Sequence, residues 1–254
     1  MIEAIIYLLL ITIAEVITVF LMELSPLWGI VAHIVILILV IVHSAVETRY
    51  PQRPLLLSLA LVPLVRIISL CMPLANIPQI WQYPIIYAPL LAAAVVVMRI
   101  LNYRPEQVGL TSKWLPVQLA VALTGFGFGV VEYLILAPEA MVTELTWQAM
   151  WLPSLMFLVC TGFVEEFIFR GVLQRSAVEE FGGWWIVYVS LLFAILHLGH
   201  YPANPPYSYW DVLFVFVIAL FFGWVVKKTG SLLGVTLSHG ITNVTLYAVL
   251  PFFF

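Results

Sequence analysis

Six residues of this chain combine acid–base side chains with helical spacing. Glu165, Glu166 and Arg170 form a Glu-Glu-x-x-x-Arg run, Phe193 and His197 stand four apart, and so do His239 and Asn243. Positions four apart share one helix face. Glu166 and Arg170 can therefore pair as ions. Glu165 points about 100° away on an α-helix and does not share Arg170 as easily. One carboxylate is then anchored, and its neighbour is left to bind a water or a metal. Two imidazoles and an amide from other segments complete a set able to hold one water and one oxyanion.

The segments that carry these residues are unusually apolar. Of 254 residues, 64% are hydrophobic and 9% are charged. A soluble domain has roughly 25% charged residues. This chain has too little polar surface to wrap a globule in water, which excludes a soluble enzyme. Ten Lys and Arg spread along it form no basic stripe, which argues against nucleic acid as a partner. Cys71 and Cys160 both lie in apolar runs, so a disulfide framework is not expected.

A helix crosses the ~30 Å hydrocarbon core with about 20 residues, and lipid favours helices because it cannot satisfy backbone polar groups. Nine apolar runs fit: Ala4–Met22, Leu27–Val46, Pro54–Leu74, Ile80–Met98, Trp114–Leu136, Thr146–Arg170, Trp184–Leu198, Trp210–Val226 and Ser231–Phe253. The fold expected is an all-α, polytopic transmembrane bundle of eight or nine spans. The first run has no basic leader and reads as a retained span. Loop charge sets the orientation. Arg49, Arg53, Arg99, Arg104, Lys113, Arg170, Arg175, Lys227 and Lys228 fall in one set of loops. The alternate loops hold Glu23, Glu139, Glu144 and Asp211 and no Lys or Arg. The basic side is expected in the cytoplasm, with the N-terminus inside and the C-terminus outside. Polar residues at helical spacing concentrate after Asn102. The expected organisation is an accessory block of about four spans over 1–101 and a functional block of about five over 102–254.

Ionisable groups inside lipid are costly and usually face a partner or a wet cavity. Glu15, Arg66 and Glu132 stand alone in their spans and read as structural, with Arg66 pairing to Glu15 or Glu132. His33 and His43 read as structural too. Glu165, His197 and His239 can reach one another only if the sixth helix continues past Arg170. Gly171 to Glu180 permits that, and Gly182-Gly183 ends it. A long sixth helix with its charges near mid-depth, beside a cavity open to water, is the expectation.

Residue content removes several membrane-protease chemistries. A single aspartate rules out an aspartyl dyad. No HExxH and no GxSxG occurs. Glutamate- or metal-activated water remains. At Glu165-Glu166-x-x-x-Arg170, Phe193-x-x-x-His197 and His239-x-x-x-Asn243 the chain resembles the CPBP intramembrane proteases. That group includes the type II CAAX prenyl endopeptidases and bacteriocin-processing or self-immunity proteins. Val108-Gly109-Leu110 and Lys228-Thr229-Gly230-Ser231-Leu232 look similar as well, so the likeness covers about Asn102–Leu250.

The resemblance implies an intramembrane endopeptidase acting on a membrane-embedded or lipidated, CAAX-like substrate. Glu165 would activate water, and His197 would help hold it or a metal. His239 and Asn243 would polarise the scissile carbonyl. Glu166 and Arg170 would orient Glu165. Glu165, His197 and His239 would suit a divalent metal such as zinc, and a metal-free mechanism stays equally open. His200 reads as an ordinary loop histidine before the helix stop at Tyr201-Pro202. Two other functions compete. A non-catalytic scaffold or self-immunity protein would survive loss of Glu165. A proton-coupled transporter would show repeat symmetry, and none is evident. The oligomeric state is not legible.

Overall fold

The computed structural model describes residues 1–22, 24–72, 76–198 and 205–254. Every regular element among them is helical, and eight stretches are long and apolar enough to cross a bilayer. Leu9, Ile38, Leu119, Leu123 and Leu134 lie exposed on the outside, where a soluble protein would place charge. The chain is a multi-pass integral membrane protein. Glu23, His200, Tyr201, Pro202 and the expected span end at Leu74 fall outside the described residues.

The first half comprises α1 (Ile2–Leu21), α2 (Leu27–Val46), α3 (Gln52–Cys71) and α4 (Gln79–Ile100). Lone charges on α1 to α3 find one another. Arg66 donates from Nε to Glu15 at 2.8 Å and from Nη2 at 2.6 Å. His33 Nε2 lies 3.2 Å from the same carboxylate. Arg66 thus pairs with Glu15 and not with Glu132. His43 bonds the Tyr7 hydroxyl at 3.1 Å. Both histidines serve helix packing. Arg66 also donates to the Leu196 carbonyl, which ties the N-terminal helices to the backbone just before His197.

The second half begins with a tight turn at Pro105–Val108, followed by α5 (Leu115–Leu136). Next, α6 runs unbroken over 147–181, with Glu165 near its middle. The expected extension past Arg170 is present. Over Phe157–Glu165 and Phe167–Leu173 it is wound as π-helix, a rare geometry that is frequent at functional sites. Gly182 has φ +52 and ends the helix. The chain then doubles back as α7 (Trp185–Ile195). Phe181 stacks on Tyr188 at 4.3 Å, and Phe169 meets Phe193 edge-on at 4.9 Å. α7 has 11 residues, about half a membrane thickness at ~1.5 Å per residue. Within the expected span Trp184–Leu198 the helix gives way to a turn at Leu196. Together α6 and α7 make up one 49-residue apolar stretch, Trp147–Ile195, one of the eight among the described residues that are long enough to cross a bilayer, in line with the eight or nine expected. α8 (Pro205–Thr229) and α9 (Leu233–Phe252) complete the fold.

α9 is seated by backbone contacts. Leu232 N–H donates to the Gly109 carbonyl at 2.8 Å, and the Gln118 amide oxygen accepts from Gly234 N–H at 2.7 Å. That satisfies a helix-start donor which lipid could not. Along its length α9 touches α5 and α6 where glycines allow it. A Cβ on Gly125 would meet Ser238 O at 2.3 Å, and one on Gly162 would meet Thr236 O at 2.6 Å. Small residues four apart, such as Gly125 and Gly129, let membrane helices approach closely. Gly125→Ala should push α9 outwards and cost about 1–3 kcal/mol. Gly127→Ala should be tolerated, since nothing lies within 4 Å of its added carbon. Thermal midpoints of the two variants in one detergent check this.

Candidate active site

The close seat of α9 brings its polar face against the middle of α6. His239 Nδ1 lies 2.9 Å from Glu166 Oε1, and Arg170 Nη1 donates to that same oxygen at 3.0 Å. All three side chains are buried or nearly so. The Arg170 guanidinium sits 4.2 Å from the Phe193 ring centre and 5.8 Å from that of Phe222. Aromatic faces attract a cation where water is absent. Phe193 therefore belongs to the site through Arg170, and it also packs beside the His197 ring at 4.9 Å.

Glu165 is placed differently. Its Oε2 faces His239 Nε2 at 3.9 Å. That is too long for a direct hydrogen bond, yet one water beside the gap can touch both atoms. Its Oε1 accepts from the Tyr87 hydroxyl of α4. The two neighbouring glutamates thus address two nitrogens of one imidazole. π winding permits this, because it carries more residues per turn and brings adjacent side chains closer in rotation than on an α-helix. Glu166 holds His239 as well as Arg170, a second task that spacing alone does not reveal.

His197 follows α7. Its Nδ1 lies 3.0 Å from the Phe193 carbonyl. A carbonyl only accepts, so the neutral ring carries its proton on Nδ1 and turns Nε2 into the basic nitrogen. Asn243 donates from Nδ2 to Thr161 Oγ1 at 2.7 Å, and Thr161 donates onward to the Phe157 carbonyl at 2.7 Å. One N–H of the Asn243 amide is thereby committed to holding the side chain in place.

These groups share a cavity of about 120 Å³. Its polar wall includes Tyr87, Glu165, Arg170, His197, His239 and Asn243, while Phe128, Phe214, Ile218 and Phe222 supply an apolar side. Glu166 lies behind this wall, buried and bonded to it. The space accommodates several waters at ~30 Å³ each.

Two contributors, Tyr87 and Thr161, escaped the sequence reading. Tyr87 sits in the N-terminal half and carries no spacing signal. Thr161 stands four residues before Glu165, a helical relation that could have flagged it. Glu132 lines the cavity, and Asp211 is its electrostatic neighbour. Asp211 was expected in a loop. Instead α8 starts at Pro205, more than a turn before it, and leaves Asp211 inside the helix and fully buried.

Among the described residues no three His, Cys, Asp or Glu side chains converge as a metal site. His239 also gives Nδ1 to Glu166.

The fold and site define a class: a multi-pass helical membrane protein with buried acid–base residues around a small cavity. Residues 146–245 match the family described as Type II CAAX prenyl endopeptidase Rce1-like. The match covers about two-fifths of the chain, from the start of α6 into α9, and includes Glu165, Glu166, Arg170, His197, His239 and Asn243. The match supports the resemblance to the CPBP proteases that the three motifs carry. Neither the curated proteins nor the solved structures give a significant match.

Proposed function

We propose that the protein is an intramembrane endopeptidase that hydrolyses a peptide bond near a lipidated, CAAX-like C-terminus with glutamate-activated water. One observation carries this reading. Glu165 Oε2 and His239 Nε2 face each other across 3.9 Å on the wall of a cavity, while Glu166 anchors the imidazole from behind.

In this scheme water sits between Glu165, His197 and His239. Glu165 takes a proton through Oε2, and the oxygen attacks the scissile carbonyl carbon. Negative charge develops on the carbonyl oxygen. The second N–H of Asn243, and Nε2–H of His239 when both its ring nitrogens carry protons, stabilise it as donors fixed in advance, which spares reorganisation during the reaction. Glu165 then passes its proton to the leaving nitrogen as the C–N bond breaks. Glu166 and Arg170 hold the geometry. The same reading keeps the arginine- and lysine-bearing loops in the cytoplasm, together with the N-terminus.

The test is cleavage in reconstituted liposomes. A prenylated peptide with a CAAX end and its unprenylated twin are each incubated with protein, and products are read by mass spectrometry. The expected result is one internal cut, strong preference for the prenylated peptide, and turnover that persists after prolonged EDTA treatment. No cut in either peptide would sink the substrate class. Loss of activity restored by zinc would reinstate a metal.

A further inference from the structure

The N-terminal helices lie outside the family match, yet one of their side chains reaches the proposed base. We infer that Tyr87 is a positioning residue of this active site: its hydroxyl holds one oxygen of Glu165 so that the other faces the water and His239. The inference rests on the peptidase reading above and extends it to α4, for which the matched segment provides no role.

The geometry divides the Glu165 carboxylate. Oε1 accepts from Tyr87, and Oε2 is the atom turned to His239 at 3.9 Å. A glutamate on a cavity wall has rotatable bonds and no intrinsic reason to aim Oε2 at one spot. On the described contacts Tyr87 is the hydrogen bond that fixes it, since Arg170 goes to Glu166. A base must be oriented to within a few tenths of an ångström to transfer a proton efficiently.

The phenol is itself well held. Tyr83, one turn earlier, stacks on Tyr87 with ring centres 6.2 Å apart. Tyr83 also meets Phe157 of α6 edge-on at 5.3 Å. An aromatic bracket therefore locks α4 to the same helix that carries Glu165. Pro84 and Pro89 flank Tyr87 within α4. Each removes a backbone donor, so the helix is free to bend beside the cavity.

Tyr87 does not touch the attacking water in this arrangement. Its removal should therefore act on turnover and spare binding. Tyr87→Phe retains the ring and its stacking and deletes only the hydroxyl. On the prenylated peptide in liposomes, kcat is expected to fall about 10- to 100-fold, the worth of a hydrogen bond to a charged group, with KM within about twofold of wild type. A fluorinated tyrosine placed at position 87 keeps the fold and makes the phenol more acidic. It should lower kcat to an intermediate level, because a stronger donor weakens the base. A packing role alone would leave that variant at the wild-type rate.

Glu165→Gln is assayed beside them. If it turns over like wild type, the base assignment itself is wrong. If Glu165→Gln is inactive while Tyr87→Phe and the fluorinated variant both keep wild-type kcat, only the role of Tyr87 is overturned. A loss confined to KM also overturns it. Should Tyr87→Phe fail to fold, the fluorinated variant decides alone.

Discussion

Glu165→Gln should abolish peptide cleavage, with kcat falling at least about 1,000-fold, within the range general acid–base groups contribute. The substitution is nearly isosteric. An amide oxygen can still accept from Tyr87, and the side chain still fits beside His239. What vanishes is the capacity to take a proton from water and return it to the leaving nitrogen. KM should change little, because the family-matched helices still form the same cavity. Single-turnover cleavage of the prenylated peptide, measured beside thermal unfolding in detergent, separates lost chemistry from lost fold. If the Glu165→Gln variant keeps more than about a tenth of wild-type kcat, a loss of only ~1.4 kcal/mol in barrier terms, another group activates the water. That outcome would also favour a site whose glutamate serves only to bind.

The second large effect falls on the ion pair behind the site. Arg170→Leu leaves Glu166 charged, fully buried and bonded only to His239. Breaking a buried pair from one side costs about 3–5 kcal/mol. Arg170 also loses its stacking on Phe193 and Phe222, which leucine restores only in part. The expected outcome is a marked drop in unfolding midpoint, together with loss of activity as Glu166 and His239 shift. Glu166→Gln combined with Arg170→Leu removes both charges. It should recover much of the stability, since two buried charges are replaced by neutral groups. It should not recover activity, because the partner that orients His239 is weakened. Equal recovery of stability and turnover in the double variant would mean that the pair serves folding alone. Unchanged stability in Arg170→Leu would mean that the guanidinium is solvated.

Local rules made much of this molecule legible before any coordinates. Lipid leaves no alternative to intrahelical hydrogen bonding, so apolar runs of the right length report spans directly. Glu166 and Arg170 pair because four residues is a helix repeat, and that relation needs no other segment. The stop at Gly182 follows from a positive φ that favours glycine, and the extension of α6 beyond Arg170 follows from the absence of any earlier breaker. At α7 the apolar run exceeds the helix within it. Hydropathy measures affinity for lipid and not where the backbone turns.

The relations between helices belonged to the tertiary structure. Arg66 had two acidic candidates, and only the packing of α1 and α3 on α2 chose Glu15. Tyr87 carries no periodic signal, because a tyrosine in a span is ordinary until another helix sets a carboxylate against it. Asp211 looked like a loop residue and became a buried neighbour of Glu132 once α8 began earlier. The π winding of α6 lets both glutamates address His239, and it arises from packing along the whole helix. Sequence alone determined which groups cannot rest in hydrocarbon. Glycine contacts such as Gly125 on Ser238, which set how closely and at what rotation the helices meet, decided which groups answer one another, because pairing at 3 Å depends on distances between segments that no single segment encodes.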